Sequence, residues 1–132
     1  MSTAPANSPA AEGTAVKKRV LVVDDNRDSA RTLAMLLKMT GYETQTAESG
    51  ASAIESTTSF KPEIILLDIG LPDMSGYDVC KLLRQQPLDP RPKIVAVTGW
   101  SSDDVQDRSG DDCFDGHVAK PVDFKVLQGL IA

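Results

Sequence analysis

From Arg19 onward, short β-branched runs alternate with segments whose apolar residues recur three and four positions apart. Strands followed by covering helices give this pattern, and repeating it builds a parallel sheet with helices on both faces. The first run, "RVLVV", is almost wholly apolar, as a strand buried on both faces requires, and it leads directly into Asp24 and Asp25. Ala30, Leu33, Ala34 and Leu37 form one helical stripe, with Arg27, Arg31 and Lys38 on the other face and a stop at Gly41. "YETQTA" reads as the second strand and "SGASAIESTTSF" as the second helix, with Ala53 and Ile54 inward.

The third strand, "EIILLD", is again apolar throughout and ends at Asp68, where the breaker-rich loop "IGLPDMSG" begins. A third helix opens at the capping pattern Ser75 to Asp78 and turns Val79, Leu82 and Leu83 inward. The fourth strand, "KIVAVT", ends at Thr98, and the fifth, about "GHVA", ends at Lys120. Between them, a helix from about Asp103 to Ser109 has Val105 as its single apolar anchor before Gly110, so neither propensity nor burial holds it firmly. Asp123 can cap a last helix that offers Phe124, Val126, Leu127 and Leu130 for burial.

The 132 residues, 41% apolar and 25% charged, suit one globular domain with one core. The net charge of −5 is concentrated between Ser101 and Asp115, where six aspartates face Arg108 alone. The rest of the chain is neutral, the acidic run reads as a solvated face, and no basic stripe for nucleic acid is present. Residues 1–17 are rich in Ala, Pro and Ser without a signal-peptide centre, which suits a disordered arm or linker ahead of a domain over 18–132. No apolar run reaches membrane-spanning length, so the expected location is cytoplasmic. Cys80 and Cys113, 33 positions apart, are expected as two reduced thiols, because disulfide scaffolds use denser cysteines.

In a parallel sheet every strand's carboxyl end opens on the same edge, where ligands bind. Asp24, Asp25, Asp68, Thr98 and Lys120 all sit at such ends. Singly, each has an ordinary explanation as a cap, a loop residue or a surface lysine; together they make a site. Three neighbouring carboxylates need a cation or protons, and Mg²⁺ takes carboxylate, carbonyl and water oxygens while leaving positions for phosphate. A carboxylate can also attack phosphorus to give an acyl phosphate once charge on the transferring oxygens is neutralised.

The motifs "VLVVDDN", "IILLDIGLPDMSGYD", "VAVTGW" and "GHVAKPVD" resemble the receiver domains of bacterial-type response regulators and hybrid histidine kinases over about Lys18 to Ala132. The resemblance implies a flavodoxin-like (βα)5 fold whose five-stranded parallel sheet has the order 2-1-3-4-5. It implies phosphoryl transfer to Asp68 from a phosphohistidine of a histidine kinase or histidine phosphotransfer protein, and no enzymatic activity beyond the domain's own phosphorylation and dephosphorylation. Asp24, Asp25, Asp68 and the Gly70 carbonyl match the Mg²⁺ ligands, and Thr98 and Lys120 the pair that contacts the phosphoryl group. The Lys120–Pro121 bond is implied to be cis. His117 takes the place of a switching Tyr or Phe. Gly99 leaves access for a donor, and Trp100 shields the acyl phosphate so that self-dephosphorylation is slow.

"FDGHVAKPVD" is closest to receivers of hybrid kinases, either stand-alone or part of a larger protein. Gly110, Asp112 and Cys113 depart from the family pattern, so the output face is expected to be mobile before phosphorylation. The output protein is not named by the sequence, neither nucleic acid nor membrane is expected as a partner, and a monomer or weak dimer is expected. Two other readings are a docking module that is not phosphorylated, and a small aspartyl-phosphate phosphatase. The second wants a general acid two positions beyond Asp68, where Gly70 stands.

Overall fold

The computed structural model describes residues 18–88, 91–98, 113–120 and 122–131, with Thr98 described in its backbone only. The elements are β1 (Arg19–Val23), α1 (Arg27–Met39), β2 (Glu43–Ala47), α2 (Gly50–Phe60), β3 (Ile64–Asp68), α3 (Gly76–Arg84), β4 (Lys93–Thr98), β5 (Gly116–Ala119) and α4 (Phe124–Ile131). The expected helix over 103–109, together with Gly99, Trp100 and Pro121, lies outside the described residues.

All strand pairings are parallel, and the order is β2-β1-β3-β4-β5. The flavodoxin-like order 2-1-3-4-5 read from the resemblance is therefore the observed one. The period of two along each strand divides the core. Val20, Val22, Ile64, Leu66, Val95 and Val97 face α1 and α4, where Ala30, Ala34, Leu37, Leu127 and Ile131 meet them. Leu21, Val23, Ile65, Leu67 and Ile94 face the opposite layer and pack against Ala53, Phe60, Val79, Cys80 and Leu83 of α2 and α3. Burying both faces of β1 and β3 fixes where these strands end, and so where their terminal acids stand.

Helix ends follow local chemistry. Asn26 caps α1 by accepting from the Ser29 amide at 3.1 Å. At the other end Gly41, at φ +104°, lets its own N–H reach Lys38 O while Tyr42 N–H reaches Leu37 O, a Schellman closure that a left-handed glycine permits. Asp123 caps α4 through the Lys125 amide at 2.9 Å.

Three expectations are corrected. Leu82 and Val126 are exposed (40% and 54%), and Cys80 in α3 and Ile131 in α4 are buried beside the expected Val79, Leu83 and Leu127. Cys80 and Cys113 are not separate thiols but form a disulfide, because the fold brings α3 against the segment entering β5. Asp115 is not merely part of a solvated acidic face, since its Oδ2 lies 2.6 Å from Arg84 and accepts the Ile94 amide at 2.9 Å. Among the described residues, no helix is long and apolar enough to cross a membrane.

Candidate functional site

Asp24 follows β1, Asp68 ends β3 and Lys120 follows β5, so parallel pairing brings them to one edge although Asp24 and Lys120 are far apart in sequence. Asp24 and Asp68 are buried (6% and 7% exposed), while Asp25 faces solvent. The two buried acids are held alike. Asp24 Oδ1 accepts the Asn26 amide at 2.9 Å, and Asp68 Oδ1 accepts the Gly70 amide at 3.0 Å. The second oxygen of each, Oδ2, lies 3.2 Å from Lys120 Nζ, so one ammonium bridges both carboxylates.

Burial raises the Asp68 carboxyl above its ordinary value, opposed by the Gly70 hydrogen bond and the Lys120 charge. Burial alone would lower Lys120, but the hydrogen bond to Asp24 and the charges of both aspartates outweigh it, so the ammonium is held more tightly than in an ordinary lysine. One oxygen each from Asp24, Asp25 and Asp68 can be chosen so that all lie within 4.8 Å of one another. Three hard oxygen donors gathered this closely are the kind of set that would hold a hard divalent cation such as Mg²⁺.

The loop after Asp68 is built tightly. Gly76 N–H donates to Ile69 O at 2.8 Å, and a Cβ on Gly76 would lie 2.8 Å from Asp68 O and from Ile69 Cα. Asp73 reaches the amino end of α2 and accepts the Gly50 and Ala51 amides at 2.8 and 3.0 Å, which holds its carboxyl below the usual range. Met74 lies over Gly50, where a Cβ would come within 2.4 Å of Met74 Cγ. Asp73 is not among the residues expected at the site; its sign in the sequence is an acid inside a breaker-rich loop next to a strand-end acid.

The remaining expected residues are placed unevenly. Thr98 ends β4 in register with Ala119, at the same sheet edge as the acids. His117 is exposed on β5, its ring 5.8 Å from Phe114, which in turn stacks edge-on against Tyr77 at 5.4 Å. Beside Asp24 and Lys120 an open cleft of about 630 Å³ is lined by Ser29, Leu33, Leu36 and Val122.

Comparison with known proteins agrees with this geometry. The family model described as the response regulator receiver domain matches residues 20–132. The transcriptional regulatory protein KdpE of Mycobacterium tuberculosis is 41% identical over 104 residues, 77% of this chain and 44% of that protein. The DNA-binding response regulator MtrA of Mycolicibacterium smegmatis is 33% identical over 112 residues, 85% of this chain and 48% of that protein. The chain thus spans about half the length of these curated relatives. The response regulator TrrA of Thermotoga maritima, solved in complex with Mg²⁺-BeF, superposes with a TM-score of 0.75 at 32% identity, over 85% of this chain and 94% of that one.

Proposed function

The chain belongs to the response regulator receiver domain family, and from that premise we propose that it is a phosphoacceptor switch, taking a phosphoryl group from a phosphohistidine onto Asp68 with Mg²⁺ bound. The observation that carries this reading is the buried Asp68 carboxylate, anchored by Gly70 N–H and facing Lys120 beside Asp24 and Asp25.

In the transfer, an Asp68 carboxylate oxygen attacks phosphorus in line with the leaving imidazole; the O–P bond forms, the P–N bond breaks, and the electron pair returns to the imidazole nitrogen. Asp24, Asp25, Asp68 and the Gly70 carbonyl would hold Mg²⁺, which when bound neutralises charge on the transferring oxygens. The Gly70 amide fixes Asp68 so that little reorganisation is needed. Lys120, kept protonated between the two acids, can exchange its Asp68 contact for a phosphoryl oxygen. The Thr98 hydroxyl takes a second phosphoryl oxygen, and the His117 ring reports the change on β5. Gly99 and Trp100 control access, and residues 18–132 form the switching unit.

A protein donor suits the surroundings of the site. Met35, Leu36 and Met39 of α1 are exposed large apolar residues on the helix that borders the cleft, and contiguous apolar exposure beside a site marks a docking face. A histidine kinase or histidine phosphotransfer protein is the donor, which goes with a cytoplasmic location. The DNA binding named for MtrA belongs to that whole protein, and the switch proposed here acts on a protein partner.

The test is intact mass after incubation with Mg²⁺ and a small acyl phosphate, beside Asp68→Asn. Gain of one phosphoryl group in the wild type alone is expected. No gain, with Trp100 fluorescence unmoved by Mg²⁺ and beryllium fluoride, would leave a docking module that keeps the fold without the chemistry.

A further inference from the structure

We propose that Cys80 and Cys113 form a reversible thiol–disulfide couple, a redox input that clamps the segment entering β5 onto α3. They are the only two cysteines in the chain, and their Cα atoms are 6.2 Å apart, within the span a disulfide needs. Cys80 is fully buried on the inner face of α3, and Cys113 is half-buried against the same core cluster.

The pair meets because the backbone around Cys113 is already tied to α3. Arg84, one turn beyond Cys80, donates to Cys113 O from Nε at 3.3 Å and from a terminal nitrogen at 3.2 Å. That same nitrogen lies 2.6 Å from Asp115 Oδ2, which also accepts the Ile94 amide. None of these contacts uses sulfur, so they hold the two thiols near each other after reduction, and reoxidation starts from neighbours rather than from a searching loop. Closure is thereby pre-organised, and the bond can form and break without unfolding the domain.

The tie lands on the part of the chain that carries the switch. Phe114, next to Cys113, lies between the rings of Tyr77 on α3 and His117 on β5, and β5 leads directly to Lys120. Oxidation therefore restrains the Phe114–His117 pair and the strand that presents Lys120. A bond that stabilises this arrangement disfavours any second arrangement selected by the phosphoryl group, and by reciprocity the phosphoryl group favours reduction. This functional sense rests on the phosphoacceptor reading; the couple itself does not.

The oxidant is a low-molecular-weight disulfide of the glutathione class. The Cys113 thiolate, the more exposed sulfur, attacks one sulfur of that disulfide, expels a thiolate and leaves a mixed disulfide. The Cys80 thiolate then attacks the Cys113 sulfur, forming the intramolecular bond and expelling the second thiolate. Two protein thiols are oxidised, one small disulfide is reduced to two thiols, and the two protons pass to the departing thiolates.

The test equilibrates the full chain across glutathione mixtures, traps free thiols with an alkylating agent under acid quench, and reads intact mass beside hydrogen exchange of residues 113–120. The expected result is a passage from no label to two labels as the mixture becomes reducing, with exchange at His117 to Ala119 at least about threefold slower in the oxidised form. Cys113→Ser, which keeps the volume and the Arg84 contact, should abolish the dependence of exchange on the glutathione mixture. Two labels at every mixture, or exchange equal in both forms, overturns the proposal. Labelling by a small acyl phosphate is read separately in each form, and its absence from both would overturn the phosphoacceptor reading while the thiol titration and exchange still decide the couple.

Discussion

The Asp73 carboxylate caps the amino end of α2, its two oxygens 2.8 Å from the Gly50 amide and 3.0 Å from the Ala51 amide, and so ties the loop that follows Asp68 to the neighbouring helix. The loop carries the Gly70 carbonyl, so its position bears on the Mg²⁺ site proposed above. Asp73→Ala is expected to weaken Mg²⁺ binding by about tenfold, the scale seen when a group supporting a metal ligand is lost, with Asp73→Asn intermediate. Titrating Trp100 fluorescence with Mg²⁺ measures both, and equal affinities would show that the loop holds its place without the cap.

The same carboxylate makes a statement about pH. Hydrogen bonds from Gly50 and Ala51 hold Asp73 below its ordinary 3.8, so its folded value lies under its unfolded one. Its contribution to stability is fully present above 3.8 and is lost as pH falls through the lower folded value. The Tm difference between wild type and Asp73→Asn should therefore be constant near neutrality and shrink only on acidification below the ordinary value. A difference that vanished at pH 5 to 6 would contradict the assignment.

Gly70 in this loop and Gly76 at its junction with α3 should behave oppositely. A Cβ on Gly76 would stand 2.8 Å from backbone atoms of Asp68 and Ile69, which cannot swing away, whereas on Gly70 the nearest atom is Asp68 Oδ1 at 4.0 Å. Gly76→Ala is expected to cost about 1–3 kcal/mol by overpacking, and Gly70→Ala less than about 0.5 kcal/mol. Urea unfolding of the two variants checks the order.

β1 and β3 were legible because burial on both faces leaves a signature, a nearly unbroken apolar run, and "RVLVV" and "IILLD" occur as such. Their terminal acids were legible for the same reason, since parallel topology sends every strand end to one edge. The buried stripe of α3 is Gly76, Tyr77, Val79, Cys80 and Leu83, and Leu82 falls outside it although its local spacing from Val79 suits the same face. Asp73 and Asp115 bond to amides 22 or more and 21 positions away, and the two cysteines are 33 apart. Partnerships of that kind arise only when the elements pack, and no local pattern announces them.

Reduction should lower stability without abolishing the fold. Joining residues 33 apart removes loop entropy from the unfolded chain worth about 3–4 kcal/mol as an upper value, while the sheet and both core layers are also held by extensive apolar packing. The denaturation midpoint is expected to fall on adding reductant and to be insensitive to reductant in Cys113→Ser. A wild-type midpoint unmoved by reductant would mean that the unfolded state is not constrained by the pair.

The apolar face of α1 separates docking from chemistry. Met35, Leu36 and Met39 are 61%, 40% and 77% exposed, and Leu36 lines the cleft that also holds Asp24 and Lys120. A small acyl phosphate brings no protein surface to that face, whereas a histidine carried on a protein does. Leu36→Asp should slow transfer from a phosphorylated histidine protein by about tenfold, the effect of losing one buried apolar anchor at an interface, and leave acyl phosphate labelling and Tm nearly unchanged. Equal slowing with both donors would point to damage at Asp68 itself, since only a lesion in the site is shared by the two routes. No slowing with either would place the protein donor on another face of the domain.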